Sequence, residues 1–364
     1  MKKLLLLLTL GLAAASCADL YRVDTAPAAG AVEAGKPIEL SAWLVFWSPS
    51  SWQSFQANVG RLARVYPEAY TCQPDGSVGR IAVTTPDDLA RTVALAHAHG
   101  CKVLGMFNNY AQGDFDKARV ERMLDSPALM ERQVQQLLGF ARLDQLDGLD
   151  IDYESLAAAD RGAFTAFVQR LGQVAHAHGL LVGIAVHPKV SEPGTWAGPQ
   201  AEDWGTLGSA VDYFQPMTYD YHWGSGSPGT IAPPDWVRQV TAFAADQVGA
   251  SKVELGVKTA GIAWAPQGND INWPDFMALQ DRDGRAQRDP NTQELTLTLP
   301  NGEAWMPDAQ TTLVKARLAR ELGVRGVALW VLGSEDPRTW AAFDHFNGKD
   351  ATPTAGSVLP GSVR

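Results

Sequence analysis

Cysteine is scarce in this sequence, with three residues in a chain of 364. A small scaffold built from disulfide bonds is therefore excluded, because such scaffolds need many cysteines in a short chain. Cys17 lies close to the N-terminus, which leaves Cys72 and Cys101 for the body of the protein. Our strand assignment puts these two at opposite ends of neighbouring parallel strands, beyond the reach of a disulfide bond. We predict two unpaired, unreactive thiols.

The chain also lacks an excess of positive charge. It has 30 Lys and Arg against 40 Asp and Glu, a net charge of −10. Nucleic-acid binding needs clustered basic side chains, so we predict no nucleic-acid partner. No Gly-rich nucleotide turn follows a predicted strand, and the acidic residues at 150, 152 and 154 do not have the spacing of a divalent-cation loop. We accordingly predict neither a cofactor nor a metal.

Long hydrophobic runs are absent beyond the N-terminus. There, Lys2 and Lys3 precede a Leu-rich run over residues 4–12, which is followed by small residues and Cys17. A basic region, a short apolar region and a cleavage region are typical of a signal peptide, which we place at residues 1–18. We therefore expect an exported protein.

The cleavage region leaves two alternatives. Its sequence resembles a bacterial lipoprotein processing site, Ala14-Ala15-Ser16-Cys17, which would leave Cys17 lipidated in the cell envelope. Ordinary cleavage near Ala18 would instead release a secreted protein. Membrane contact is expected only through the lipid anchor, because no other stretch is apolar over the length of a spanning helix.

What the sequence does contain is an alternation of short apolar runs with longer amphipathic runs. Continuous apolar runs are typical of parallel strands buried on both faces. The clearest helix has Thr85 as its N-cap and Pro86 at its first position, and it ends at Gly100. The predicted strands cover residues 42–47, 64–72, 102–107, 148–154, 181–187, 211–217, 253–259 and 325–330.

Eight strands that alternate with helices predict an α/β fold, a (β/α)8 TIM barrel over residues 40–347. An open doubly wound sheet is the alternative, which the missing Gly-rich turn disfavours. Between strand 7 and helix 7, residues of about 260–307 predict a small α+β insertion with a β-hairpin near residues 294–302. We predict a tether at residues 19–39, a disordered tail at residues 348–364 and a monomeric protein.

The pentapeptide Ala-His-Ala-His-Gly occurs at residues 96–100 and again at 175–179, each time at a predicted helix end. A metal site is disfavoured, because residues two apart on a helix do not face each other. We predict structural histidines that interact with the helix C-terminal dipole.

The fourth predicted strand carries three acidic residues. Side chains alternate along a strand, so Asp150, Asp152 and Glu154 share one face, which points into the barrel and rises towards its C-terminal mouth. Confined carboxylates repel one another and are costly to desolvate, so packing alone does not favour them. Crowding raises the pKa of such acids, which predicts a proton donor. Glu154 is the longest and outermost of the three, and we predict that it is the donor.

The stretch that contains these acids resembles the signature of family 18 glycoside hydrolases at every defining position. Two further motifs follow in the expected order, and the resemblance spans about residues 40–346. Within the family, two stretches resemble a bacterial branch of cell-wall and spore-cortex N-acetylglucosaminidases: Asp220-Tyr-His-Trp-Gly-Ser-Gly-Ser-Pro-Gly229 and Trp330-Val-Leu-Gly-Ser-Glu-Asp-Pro. The three motifs are Asp147-Gly-Leu-Asp150-Ile-Asp152-Tyr-Glu154, Gln215-Pro-Met217-Thr-Tyr219-Asp220 and Gly326-Val-Ala-Leu-Trp330.

The resemblance implies substrate-assisted hydrolysis with retention of the anomeric configuration. Glu154 would protonate the leaving oxygen, and the substrate's own 2-acetamido oxygen would attack the anomeric carbon. Asp152 would orient that acetamido group, and Asp150 would share a proton with Asp152. Tyr219 would hydrogen-bond the acetamido carbonyl, and Trp330 would stack under the sugar ring.

Further candidate residues lie at strand ends or in the motifs. We assign Met217, Asp220, Trp47, Asn108 and Asp147 to substrate binding, with a supporting role for Asp147 because it lies off the alternating face. For Trp47, Asn108 and Asp220, and also for His187, support of a loop remains the alternative.

The third strand departs from the family pattern. It reads Gly105-Met-Phe-Asn108-Asn109-Tyr110, where typical chitinases carry a Ser-x-Gly-Gly turn. The expected partner is therefore an N-acetylglucosamine-containing glycan, with peptidoglycan, chitin-type oligosaccharides and N-glycans all open. A non-catalytic chitinase-like lectin is the alternative from another class.

Overall fold

The computed structural model describes residues 20, 21, 23 and 37–349. The predicted signal peptide with Cys17, most of the predicted tether, and the predicted tail from residue 350 lie outside the described residues. Within the described part of the chain, no helix combines the length and the apolar character needed to cross a membrane.

Eight parallel strands form a barrel that is nearly closed. They follow the order β7-β8-β1-β2-β3-β4-β5-β6, and a single bridge between Phe214 and Val253 links the two end strands. The predicted (β/α)8 fold is confirmed, and the open sheet is excluded. The strands are β1 (Glu39–Leu44), β2 (Arg64–Cys72), β3 (Lys102–Asn108), β4 (Gly148–Asp152), β5 (Leu181–Val186), β6 (Tyr213–Pro216), β7 (Glu254–Lys258) and β8 (Gly326–Trp330).

Helices surround the barrel, and most of them pack on its strands. The predicted start of α2 is confirmed, since the Thr85 side chain accepts from the backbone N of Asp88 in a capping box with Pro86 in the first turn. The helices are α1 (Pro49–Asn58), α2 (Pro86–Ala98), α3 (Lys117–Leu124), α4 (Pro127–Leu143), α5 (Arg161–Ala177), α6 (Ala197–Gln200), α7 (Trp204–Ala210), α8 (Pro234–Val248), α9 (Trp273–Asp283), α10 (Ala309–Glu321) and α11 (Thr339–Phe346).

The insertion between β7 and α10 is a five-stranded antiparallel sheet with α9 packed on it. The predicted hairpin is present, with strands Leu295–Leu299 and Gly302–Met306. Buried Glu294 accepts hydrogen bonds from the backbone N of Ile231 at 2.9 Å and of Ala232 at 3.0 Å. The insertion is thereby fastened to the loop that follows β6.

The lower half of the barrel interior contains a buried ion pair. The Arg64 Nε donates to Glu254 Oε1 at 2.9 Å, and the Tyr66 hydroxyl donates to Glu254 Oε2 at 2.5 Å. The Arg64 guanidinium also lies over the ring of Tyr213. These groups fill the barrel beneath the acidic strand.

The repeated pentapeptide builds the same contact twice at the amino ends of the strands. His97 Nε2 lies 2.9 Å from Asp147 Oδ2, and the same oxygen accepts from the backbone N of Val103. In the second copy, His176 Nε2 lies 3.0 Å from Asp212 Oδ2. Each histidine therefore pairs with a carboxylate that precedes a later strand. The interaction with the helix C-terminal dipole stays a prediction.

Cys72 and Cys101 are buried and unpaired, as the sequence predicts. Burial raises the pKa of the Cys72 thiol to about 11 and that of Cys101 to about 12. Both therefore stay protonated, and as thiols they are poor nucleophiles.

Candidate active site

Three carboxylates rise along one face of the barrel interior. Asp150 is fully buried and Asp152 is 6% exposed, both in β4, whereas the side chain of Glu154, two residues beyond the strand, is 20% exposed. The order follows the alternation of the strand, which turns every second side chain inwards. The outermost carboxylate therefore meets solvent at the C-terminal mouth, and the other two lie below it.

Asp150 is held on both sides by neutral donors. The indole Nε1 of Trp43 donates to its Oδ2 at 3.1 Å. The amide of Gln215, in the orientation that satisfies both of its ends, donates to its Oδ1 at 3.0 Å. Burial raises the pKa of Asp150 well above its ordinary value, and the charge of Glu254 raises it further, which outweighs the two hydrogen bonds.

The space for this carboxyl is left by a glycine in the next strand. A Cβ atom added at Gly183 in β5 would lie 2.3 Å from Asp150 Oδ1. Since Trp43 and Gln215 hold the carboxyl from two other sides, it has little room to move.

We expect Gly183→Ala to displace Asp150, to destabilise the fold by about 1–3 kcal/mol and to lower turnover. Gly139→Ala is the matched control, because Gly139 lies on α4 with nothing within 4 Å of an added Cβ. Thermal unfolding and kcat of both variants measure the effect. Equal values for the two variants would show that the space beside Asp150 is not restrictive.

Asp152 is surrounded by other carboxylates. Burial raises its pKa well above the ordinary range, and the neighbouring charges of Glu154, Asp150 and Glu68 raise it further, while His187 acts in the opposite direction. The Asp150–Asp152 pair therefore retains a proton at pH values at which two exposed aspartates are both ionised.

The backbone of Glu154 is clamped by an amide that the sequence reasoning missed. Asn109, fully buried just beyond β3, donates from Nδ2 to Glu154 O at 3.0 Å and accepts from Glu154 N at 2.9 Å. The sequence favours Asn108 because it lies just past the predicted third strand, whereas the clamping residue is its neighbour. The signal available in the sequence was an Asn-Asn pair in place of the usual glycines of this turn.

The carboxylates open into a cleft made of two cavities, of about 740 Å³ and about 730 Å³. Both cavities are lined by Phe115, Asp152, Asp270 and Trp330. The cleft therefore extends to both sides of Asp152, with Trp330 between its halves.

Most of the predicted site residues line the first cavity, around Glu154. Tyr219, Met217 and Asp220 line it together with Trp330. Burial raises the pKa of the Tyr219 phenol well above its ordinary value, and the nearby Asp152 and Glu154 raise it further, so the phenol stays protonated and can donate. Asp220 accepts from Lys258 Nζ at 2.8 Å.

The second cavity contains Trp47 and Asn108, which meet at a carboxylate absent from the sequence-based set. Glu68 of β2 accepts from Trp47 Nε1 at 2.9 Å and from Asn108 Nδ2 at 2.9 Å. Burial raises the pKa of Glu68. Trp47 is 57% exposed and lines this cavity, while its nitrogen is held by Glu68.

Asp147 does not join these residues. It precedes β4 and lies at the amino end of the barrel, where it binds His97 and the backbone N of Val103. The prediction that Asp147 binds substrate is therefore wrong. The direction of β4 places Asp147 at the amino end of the barrel, opposite the mouth, and its role there is structural.

Among the described residues, no group of three or more His, Cys, Asp or Glu side chains is placed to hold a metal ion.

Comparison with known proteins agrees with this geometry. Residues 91–335 match the family model described as glycosyl hydrolases family 18. The uncharacterized glycosylase YvbX of Bacillus subtilis is 24% identical over 255 residues, which cover 66% of this chain and 74% of the relative. The cortical fragment-lytic enzyme of the same organism is 26% identical over 241 residues, 62% of this chain.

The chain spans only 56% of the length of that cortical enzyme. In structure, it resembles the chitinase from Chromobacterium violaceum, with a TM-score of 0.78 at 24% identity over 85% of this chain and 98% of the chitinase. That likeness concerns the fold. The family model covers well over half of the chain, so the protein belongs to family 18 of the glycosyl hydrolases and is a glycosyl hydrolase.

Proposed function

We propose that this enzyme is a retaining glycosidase that cleaves β-1,4 linkages of N-acetylglucosamine-containing glycans by substrate-assisted catalysis. The observation that carries the proposal is the state of Asp152. It is buried, its pKa is raised, and it lies directly below Glu154 at the junction of the two cavities. An enclosed carboxyl that shares a proton with its neighbour is a poor nucleophile, whereas it is well suited to accept a hydrogen bond from the substrate.

In the first step, the Glu154 carboxyl gives its proton to the glycosidic oxygen while the C1–O bond breaks. The carbonyl oxygen of the sugar's own 2-acetamido group forms the new bond to C1, which gives an oxazolinium ion. Asp152 orients the acetamido N–H and stabilises the cation, and Asp150 shares the proton between the two aspartates. The phenol of Tyr219 donates to the acetamido oxygen, and Trp330 supports the ring.

In the second step, water attacks C1 from the side that the leaving group has vacated. Glu154, now a carboxylate, takes a proton from that water, and the oxazoline ring reopens. Two inversions at C1 give retention of configuration. The protein regains its starting protonation state without any external reagent.

The cleft on both sides of Asp152 supports a chain-like substrate with sugars before and after the broken bond. We propose peptidoglycan as the first candidate substrate, because the relatives include a cortical fragment-lytic enzyme. Chitin-type oligosaccharides are the second candidate, because a chitinase has a similar fold. Endo-acting cleavage of N-glycans needs the same acetamido chemistry and remains a candidate. We also propose export, with the lipid anchor at Cys17 as its membrane-bound form.

Incubation of the enzyme with purified peptidoglycan, chitin oligomers and a high-mannose glycoprotein tests the proposal. Mass spectrometry of the products should show new reducing ends at N-acetylglucosamine from at least one substrate, and Glu154→Gln should give none. Binding without cleavage of all three substrates would contradict the proposal and favour the lectin.

A further inference from the structure

A buried histidine touches the proposed acid, and neither the motifs nor the mechanism above uses it. His187 follows β5, its side chain is 8% exposed, and its Nε2 lies 3.2 Å from Glu154 Oε2. Because the contact joins a titratable ring to the proton donor, it can influence where the catalytic proton lies.

The other ring nitrogen is fixed by a second carboxylate. His187 Nδ1 lies 2.7 Å from Glu202 Oε1, and the backbone N of His187 donates to both oxygens of Glu202 at 3.1 Å. Glu202 is itself 2% exposed and accepts from Trp204 Nε1 at 3.2 Å. The ring of Trp196 packs edge-on against the imidazole, with 4.8 Å between the two ring centroids. The imidazole therefore has one orientation, with Nε2 directed at Glu154.

A carboxylate that binds one ring nitrogen of a histidine fixes the tautomer of the imidazole. The other ring nitrogen can then exchange a proton with the group that it contacts. We propose that His187, oriented by Glu202, is a positioning residue that shares the catalytic proton with Glu154 and thereby sets the alkaline limit of activity. This inference rests on the proposed role of Glu154 as the acid.

The proton has two places in this pair. With Nδ1–H donated to Glu202, it lies either on Glu154 with Nε2 as the acceptor, or on Nε2 with Glu154 as a carboxylate. The first form protonates the glycosidic oxygen. The second stabilises the carboxylate that remains after transfer, until Glu154 takes up the proton of the attacking water. No group other than the substrate and water is consumed.

The charges around the ring agree with this assignment. Burial by itself lowers the pKa of His187, but Glu202 and Glu154 outweigh it and raise the pKa to about 10. Asp152 lies deeper on β4, and the imidazole offsets part of the rise in the pKa of Asp152. Lys189, on the same loop as the ring, pairs with Glu192 at 2.9 Å. The pair therefore retains one proton well above neutral pH.

The kinetic test compares His187→Gln with the wild-type enzyme across pH. While the pair holds one proton, the fraction on Glu154 is constant, so wild-type kcat/KM should stay level into the alkaline range. Glutamine cannot titrate, so the alkaline limb should move down by about one pH unit or more. KM at pH 6 should change little, because the imidazole acts through Glu154.

Two further variants make this result specific. Glu202→Gln should move the alkaline limb of kcat/KM in the same direction as His187→Gln, but by a smaller amount. The variant with both substitutions should show no larger shift than His187→Gln alone, because both residues act on one proton. His97→Gln is the matched control, since His97 also pairs with a carboxylate but at the far end of the barrel. An alkaline limb of His187→Gln that coincides with that of the wild type and of His97→Gln would overturn the proposal.

A measurement without turnover separates this inference from the proposed function. In protein labelled with ¹⁵N-histidine, the signal that His187→Gln removes should titrate far above the ordinary histidine pKa, and its midpoint should fall in Glu154→Gln. A midpoint that is unchanged in Glu154→Gln would overturn the shared proton even in an active enzyme. If the His187 midpoint falls in Glu154→Gln but the wild-type protein cleaves no glycan, the shared proton would be supported and the proposed hydrolytic function rejected.

Discussion

Glu154→Gln is expected to lower kcat by about 10²- to 10⁴-fold while glycan binding persists. Glutamine keeps the size of the side chain but has no proton to transfer, and the backbone clamp from Asn109 does not depend on the carboxyl. Turnover and calorimetric binding of the same oligosaccharide measure the two effects separately.

Glu131→Gln is the control for this variant. Glu131 lies on α4 at the outer surface, where it binds Arg170 at 2.8 Å, so its loss should leave kcat unchanged. Wild-type turnover in Glu154→Gln would remove the acid from the mechanism. A loss of binding together with turnover would instead show that the carboxyl supports the site structurally.

Asp152→Asn should lower activity but raise stability. We expect kcat to fall by about 10²-fold or more, because an asparagine cannot stabilise the oxazolinium ion with a negative charge. The stability effect has the opposite sign because the native pKa of Asp152 is raised above that of the unfolded chain.

The sign of the stability effect follows from proton counts. Above the unfolded value, near pH 4, the folded protein holds a proton that the unfolded chain has lost, so stability falls as pH rises towards the folded pKa. The Asp152→Asn variant does not lose stability in this way, because asparagine does not titrate. At pH 8 its Tm should exceed that of the wild type by a few degrees, since 1 kcal/mol corresponds to about 2–4 °C, and near pH 3 the difference should vanish. A lower Tm for Asp152→Asn at pH 8 would contradict the raised pKa.

Strand positions were largely predictable because burial on both faces leaves a continuous apolar run. The second strand has the predicted bounds, Arg64–Cys72, whereas the sixth is shorter than predicted, Tyr213–Pro216. Asp212 accounts for part of this difference, because its side chain binds His176 and the backbone N of Val182 at the amino edge of the barrel. A polar residue beside an apolar run gives no sign of such a distant contact.

The site was predictable where it depends on alternation along one strand. Asp150, Asp152 and Glu154 follow from the period of two, which fixes their common face. The clamp from Asn109 and the contact from Glu202 join residues that are 45 and 15 positions from their partners. Periodicity within one element carries no information on which loops meet at the mouth. Asp147 was misassigned because it belongs to the motif, although the strand direction puts it at the other end.

The most direct test of the account varies the nucleophile that we assign to the substrate. A series of aryl chitobiosides with acetyl, monofluoroacetyl, difluoroacetyl and trifluoroacetyl groups on the nitrogen of the reacting sugar makes the carbonyl oxygen steadily less nucleophilic. If this oxygen attacks C1, kcat/KM should fall steeply along the series, by orders of magnitude in total. If Asp152 or another protein group attacks, kcat/KM should stay nearly constant, and that result would contradict substrate-assisted catalysis by this enzyme.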